Sequence, residues 1–274
     1  ALFRRPLSAP APNIPAMQGL ADLLYPEACV GCGRPARGGL CLACLEGLDR
    51  LGPRVCRRCG APMVVDVAEC RECRARGFRF DLARQAVGFD ATVRAAVLRL
   101  KYRGEWALVE ALALLLAEVA FAAAGPPAGA VTWVPSGARR LRERGFDHAR
   151  LLAEAAARRL GTPAGALLAR ERETRAQVGL PRALRRKNLV GAFGCRLPPP
   201  PHVIVVDDVF TTGATACEAA RALKAAGAEH VVCLAVARSL PSRAPPRGSL
   251  GGALAVPGGL NVTSAQRLSG LAYS

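Results

Sequence analysis

The sequence predicts an α/β protein, a parallel sheet with helices on both faces, preceded by a small cysteine-rich module. Three observations carry this. Apolar strand-like runs alternate with helical periodicity from residue 80 to residue 238, the rhythm of parallel strands joined by crossover helices. Eight of the eleven cysteines fall between residues 29 and 73, apart from those runs. Finally, 274 residues of which 51% are hydrophobic suffice for one large core, or for one ordinary domain and a small one.

Taken in order, residues 1–19 are Pro- and Ala-rich and are expected to be disordered, with Met17 a candidate natural start. The cysteine module spans 20–78 and the α/β domain 79–240. The remainder, 241–274, lacks periodicity and is expected to be a disordered tail. "FDLARQAVGFD" (80–90) reads as the strand entering the second domain. "ATVRAAVLRLKYRG" then places Val93, Val97 and Leu100 on one helical face. "WALVEALALLLAEVAFAAA" (106–124) is long and apolar, but Glu110 and Glu118 would be costly in lipid, so it reads as a helix covering the sheet.

After the break "GPPAG", "AVTWVP" is a short strand, "SGARRLRERG" a basic loop, and "FDHARLLAEAAARRLG" a helix closed by Gly161. "GALLAR" can form a strand before a charged stretch at 170–190. "PPPPHVIVVDDV" is another strand, "TTGATACEAARALKAAG" a loop and a helix beginning near Ala216, and "HVVCLAVAR" the last strand. No continuous apolar segment of secretory type opens the chain, and a cytoplasmic protein without membrane insertion is expected.

The cysteines form four CxxC pairs: Cys29/Cys32, Cys41/Cys44, Cys56/Cys59 and Cys70/Cys73. Two intervening residues let both sulfurs of a pair reach one ion, and two pairs complete a tetrahedral four-thiolate zinc site. Eight ligands make two such Zn2+ sites. Neither leaves an open coordination position, which marks the metal as structural rather than catalytic, and a segment this small draws its folding energy from the metal. Sequential pairing is expected, with interleaved pairing the alternative.

The second signal is "VIVVDDVFTTGAT" (203–215). Val203 to Val206 suit a central strand buried on both faces. Ligands of parallel sheets gather beyond the carboxyl ends of the strands, where Asp207 and Asp208 fall. The following Thr-Thr-Gly-Ala-Thr leads into a helix, and amides at a helix N-terminus bind anions. Phosphate at one end and hydroxyl-binding acids at the other fit a ribose 5-phosphate. A Walker-type loop is absent, since no GxxxxGK[ST] occurs in the chain.

These residues resemble the phosphoribosyl pyrophosphate (PRPP) signature of type I phosphoribosyltransferases. More broadly, the span from about Leu20 to Arg238 is similar to the ComF family of competence-related proteins, which joins a double zinc ribbon to a phosphoribosyltransferase-like domain. Besides the cysteines and the acid pair, "KYRG" (101–104), "RRLRERGF" (139–146) and "T..Q.GL....RR.NL.GAF" (174–193) carry the resemblance.

The resemblance implies a type I phosphoribosyltransferase-like sheet and a donor site. Asp207 and Asp208 would contact the ribose hydroxyls of PRPP, while Thr211, Thr212, Gly213, Ala214 and Thr215 would hold its 5-phosphate. Ser136, Gly137 and Arg139 would face pyrophosphate, and Gln177, Arg185 and Asn188 lie where a mobile loop closes. Mg2+ would accompany PRPP. This chain departs from the pattern at Gly137, where the family places an imidazole, and at Asp147-His148; His148 reads as a surface histidine at a helix start. No catalytic acid or base is identified.

Lys and Arg number 38 against 21 Asp and Glu, a net charge of +17. Such a charge favours polyanionic partners, although an arginine-rich, lysine-poor composition also follows from GC-rich coding. Residues 139–187 hold 14 basic and 5 acidic side chains, more than one pyrophosphate requires. Two functions are therefore expected from different classes: a phosphoribosyltransferase of unknown acceptor, or a single-stranded DNA-binding accessory working with DNA-uptake proteins. Phe146 is the only aromatic residue in that window, so sequence-specific base reading is not expected.

Overall fold

The structure, a computed structural model, describes residues 28–65, 67–123, 127–172 and 189–240. The cysteine module carries two short helices, α1 (Leu42–Glu46) and α2 (Arg71–Arg76). Then follow β1 (Leu82–Gly88), α3 (Ala91–Arg103), α4 (Leu108–Ala122), β2 (Ala130–Trp133), α5 (Ala138–Arg144) and α6 (His148–Leu160). The chain continues through β3 (Leu168–Arg170), β4 (Phe193–Cys195), β5 (His202–Phe210), α7 (Ala214–Ala225) and β6 (His230–Arg238). Among the described residues, no helix is long and apolar enough to cross a membrane.

Strands β1, β6, β5 and β2 pair in parallel in that order. The register sets Ile204 beside Val232 and beside Val131. Because successive strand residues face opposite ways, β5 feeds two separate cores. Ile204 and Val206 meet Val97 and Leu100 of α3, Leu112 and Leu116 of α4, and Leu152 of α6. Val203 and Val205 meet Ala219 and Leu223 of α7, with Phe80, Phe193 and Phe210. The unbroken apolar run at 203–206 is therefore needed twice, once on each face.

The two halves of the cysteine module divide in the same way. Cys29, Leu40, Leu45 and Leu48 join the core of α3, α4 and α6, whereas Cys56, Cys59, Cys70 and Cys73 join that of α7.

Three local expectations are corrected. The segment "SGARRLRERG" is not a loop but contains α5, built from good helix formers between Gly137 and the left-handed Gly145, with Arg139 and Glu143 paired one turn apart. Helix α7 starts at Ala214 rather than near Ala216, because Gly213, at φ 74°, serves as its N-cap. Strand β3 is not in the parallel sheet. The chain makes one backbone bridge to β2, Ala164 with Val131; the Leu167 amide that would continue the ladder donates instead to the Gly165 carbonyl and Thr132 Oγ1, and β3 then pairs antiparallel with β4.

Candidate functional site

Asp207 and Asp208 lie within β5 and belong to its two faces. Asp207 shares a crevice with Thr211, Gly213 and Thr215 on the α7 side, and its Oδ1 accepts from the Asp208 amide at 2.9 Å. Asp208 is buried on the other side, paired with Lys101 Nζ at the end of α3 and facing His148 Nε2 of α6 at 3.6 Å. Burial, followed by the charge of Asp208, pushes the Asp207 carboxyl well above the usual range. Burial opposes charge on Asp208 too, but the Lys101 ammonium and then His148 outweigh it and hold its carboxyl well below that range. The two neighbouring carboxyls are thus shifted in opposite directions.

His148 is not a surface residue. It is 7% exposed, and Arg144 Nη1 lies 3.4 Å from its Nδ1. Its two ring nitrogens thus lie between the Arg144 guanidinium and the Asp208 carboxylate. Asp147 caps α6 by accepting from the Ala149 amide. The same carboxylate accepts from both the amide and the hydroxyl of Ser136, each at 3.0 Å. The pair Asp147-His148 therefore fastens the loop after β2 with one residue and the acid with the next. Of the residues expected to face pyrophosphate, Ser136 already commits its amide to Asp147, Gly137 caps α5, and Arg139 points outward to Glu143. Gln177, Arg185 and Asn188 lie outside the described residues.

The loop after β5 is held from the cysteine module. Arg76 Nη1 donates to the Thr212 carbonyl at 3.0 Å. A Cβ on Gly213 would stand 2.7 Å from Phe210 Cζ and 3.0 Å from Phe78 Cε1. Glycine is required there by its positive φ and by the rings closed over it. Arg238, 7% exposed at the end of β6, lies over the Phe210 ring and donates to the Cys59 carbonyl at 2.8 Å and to Gln85 Oε1 at 3.1 Å.

The cysteines gather as Cys29, Cys32, Cys41, Cys44 and as Cys56, Cys59, Cys70, Cys73, with the sulfurs of each quartet within 4.8 Å of one another. Pairing is thus sequential. The donor chemistry fits a dication. Against burial, amides of Cys41, Cys32 and Gly31 bring the Cys29 thiol down to about 6, and amides of Cys59, Cys70 and Arg58 bring Cys56 to about 7. Partner sulfurs are driven the other way, Cys44 to about 12 by Cys41 and Cys29, because four thiolates cannot ionise together without a cation among them. With zinc bound, each quartet would cross-link two turns and supply no open coordination position for chemistry.

Lys101, Arg76, Phe78 and Arg238 are not legible as site residues from the sequence. "KYRG" and the buried helical pattern around His148 are visible signals, but what they contact is a long-range fact.

Two family models match the chain: a double zinc ribbon domain over residues 20–74 and a phosphoribosyl transferase domain over 124–249. The DNA utilization protein YhgH of Salmonella typhi is 31% identical over 227 residues, covering 80% of this chain and all of that protein. Competence protein F of Haemophilus influenzae is 27% identical over 222 residues, covering 77% of this chain and 95% of the relative. Among solved structures, orotate phosphoribosyltransferase of Aeropyrum pernix matches 57% of this chain and 68% of its own, at 22% identity and a TM-score of 0.31.

Proposed function

The chain belongs to the ComF family, the double zinc ribbon and type I phosphoribosyltransferase-like proteins that include YhgH and competence protein F, and from that premise we propose that it binds PRPP or a related ribose 5-phosphate in the service of DNA use in the cytoplasm. The 5-phosphate lies on the Thr211–Thr215 loop, at the amides opening α7. Asp207 and Asp208 receive the ribose hydroxyls. Mg2+, if bound with the donor, would supply neutralisation of its pyrophosphate charge and would need few protein ligands of its own beside Asp207 and Asp208.

The observation that carries this reading is the division of labour at the strand end. Asp207 shares its crevice with Thr211, Gly213 and Thr215 at the glycine-capped start of α7, while Asp208 beside it is charge-balanced by Lys101. Phosphoribosyl transfer asks a protein for positioning and charge neutralisation more than for covalent participation. The site therefore supports a phosphoribosyltransferase of undefined acceptor without any further acid or base.

Calorimetric titration with PRPP and Mg2+ tests it. Asp208→Asn also strips Lys101 of its counter-ion, so Asp207→Asn is the cleaner variant. It should weaken binding by one hydrogen bond's worth, about 1 kcal/mol for a neutral donor or acceptor. Parent-like PRPP affinity in Asp207→Asn, or no PRPP binding by the parent, would count against the donor site.

A second reading, a non-catalytic single-stranded DNA-binding accessory, is favoured by the exposed guanidinium side chains of α5, such as Arg139 and Arg142. It requires affinity for single strands that falls by about 0.7 log units per phosphate contact for each decade of salt. Salt-independent binding, or none, removes it.

A further inference from the structure

Helix α3 ends at Gly104, whose left-handed conformation (φ 63°) reverses the chain and brings Trp106 back over the end of α5. There the Trp106 ring meets Phe146 edge to face at 6.1 Å between centroids, and Arg144 lies over the Tyr102 ring at 4.7 Å. Together they wall an open cleft of about 460 Å³, completed by Lys101, Arg103, Gly104 and the Glu143 carboxylate, so that the cations outnumber the one acid. Tyr102 is 65% exposed and Trp106 48%. The aromatic-poor basic window is thus supplied with two more rings from "KYRG.W", some forty positions upstream.

Aromatic faces open to water beside guanidinium groups are the two halves of nucleotide recognition: a planar base stacks on the rings while the phosphate pairs with the cations. We infer that this cleft binds a nucleotide, its base against Trp106 and Tyr102 and its phosphate against Arg103 and Arg144.

The cleft is wired to the acid pair by two routes. Lys101 lines it and pairs with Asp208, and Arg144 lines it and touches His148, which faces Asp208. A nucleotide drawing Arg144 toward its phosphate would compete with the His148 contact. This assignment does not depend on the PRPP reading, because it rests on a different wall of the sheet edge from the Thr211–Thr215 loop. The nucleotide can be free in solution or one unit of a single strand, since both present the same base and phosphate.

The chain has two tryptophans, and Trp133→Phe leaves Trp106 as the sole indole reporter. In that background, AMP, ribose 5-phosphate and a short oligothymidylate are titrated while Trp106 fluorescence is followed. Saturable quenching by AMP or by the oligonucleotide, with none by ribose 5-phosphate, is the expected result. Quenching by AMP identifies a free nucleotide as sufficient; quenching by the oligonucleotide alone identifies a strand. Tyr102→Ala, an exposed position whose truncation leaves the core intact, should weaken the effect roughly tenfold or more, as loss of a stacking partner does. Excess ribose 5-phosphate should leave the AMP quenching unchanged, which separates this site from the ribose 5-phosphate site. Equal quenching by ribose 5-phosphate, quenching unaltered in Tyr102→Ala, or no quenching by either nucleotide form overturns the assignment.

Discussion

In the first ribbon the turn glycine Gly33, at φ 74°, has nothing within 4 Å of the point where a side chain would begin, while in the second its counterpart Gly60, at φ 71°, has the Ala83 carbonyl and Gln85 Oε1 each 2.8 Å from that point. The turns themselves match. Gly33 donates to the Cys29 carbonyl at 2.8 Å and Gly60 to the Cys56 carbonyl at 2.9 Å. Cys41 and Cys70 amides donate to the first sulfur of their own quartets at 3.3 and 3.2 Å. What differs is the embedding. Cys32 is exposed and Cys41 and Cys44 are half-buried, but all four sulfurs of the second quartet are buried among Phe78, Phe80 and the α7 core. The same ligand set thus serves as a peripheral clasp on one face of the sheet and as a part of the core on the other.

The largest test of that contrast is ligand removal. Cys59→Ser should abolish cooperative folding of the α/β domain. The metal supplies on the order of 10 kcal/mol in small zinc domains, and here the vacated ligands lie inside a core. Cys32→Ser should lose one zinc and keep the domain's cooperative melt. Parallel circular dichroism melts and zinc analysis decide it; equal damage from both variants would dissolve the distinction.

Chelation sharpens it kinetically. A competing chelator should withdraw zinc in two phases, the first at least about tenfold faster, a ratio that needs a difference in opening of about 1.4 kcal/mol. Cys32→Ser should remove the fast phase. A single phase releasing both ions would contradict unequal access.

The paired glycines give a finer measure. Gly33→Ala should cost about 1 kcal/mol for its left-handed backbone alone, whereas Gly60→Ala adds a backbone clash and should cost roughly 2 to 4 kcal/mol. Denaturant midpoints compare the two directly.

The smallest expected effect concerns the acids, one on each face. Asp208 has a depressed pKa, so its stabilisation is present above the unfolded carboxylate range and fades as pH falls through its lower folded value. Asp207 has a raised pKa, so its protonated form is favoured in the fold, and stability is lost as pH climbs through that raised value. Asp207→Asn should therefore raise the melting temperature on the alkaline side of that titration, while Asp208→Asn lowers it at neutral pH. Thermal melts across pH check both signs.

Much of this molecule is legible without coordinates. The CxxC spacing determines the ligands, and the switch between period-2 and helical patterning locates β1, β2, β5 and β6 with their helices, because both are local properties. The acid pair lies inside β5, which runs on to Phe210, rather than beyond its end, and the sequence reads it as two charges side by side. Alternation along β5 assigns them to opposite faces, and that follows from the strand prediction itself. Other features are not local. Whether His148 is buried depends on what α6 packs against, Lys101 finds Asp208 across more than a hundred residues, and nothing around Arg238 hints at the Cys59 carbonyl it will meet. Helix α5 escapes a reading that weighs its arginines as charge rather than as helix formers.

The Arg238–Cys59 contact closes a gap of 179 residues. A ribosome releases the second quartet long before β5, α7 and β6 exist to enclose it. The nascent ribbon must hold its thiols without those walls until the last strand emerges. Synthesised early, this module acquires its walls at the end. A premature stop anywhere before Arg238 would therefore damage its amino-terminal half as well as its carboxyl-terminal one.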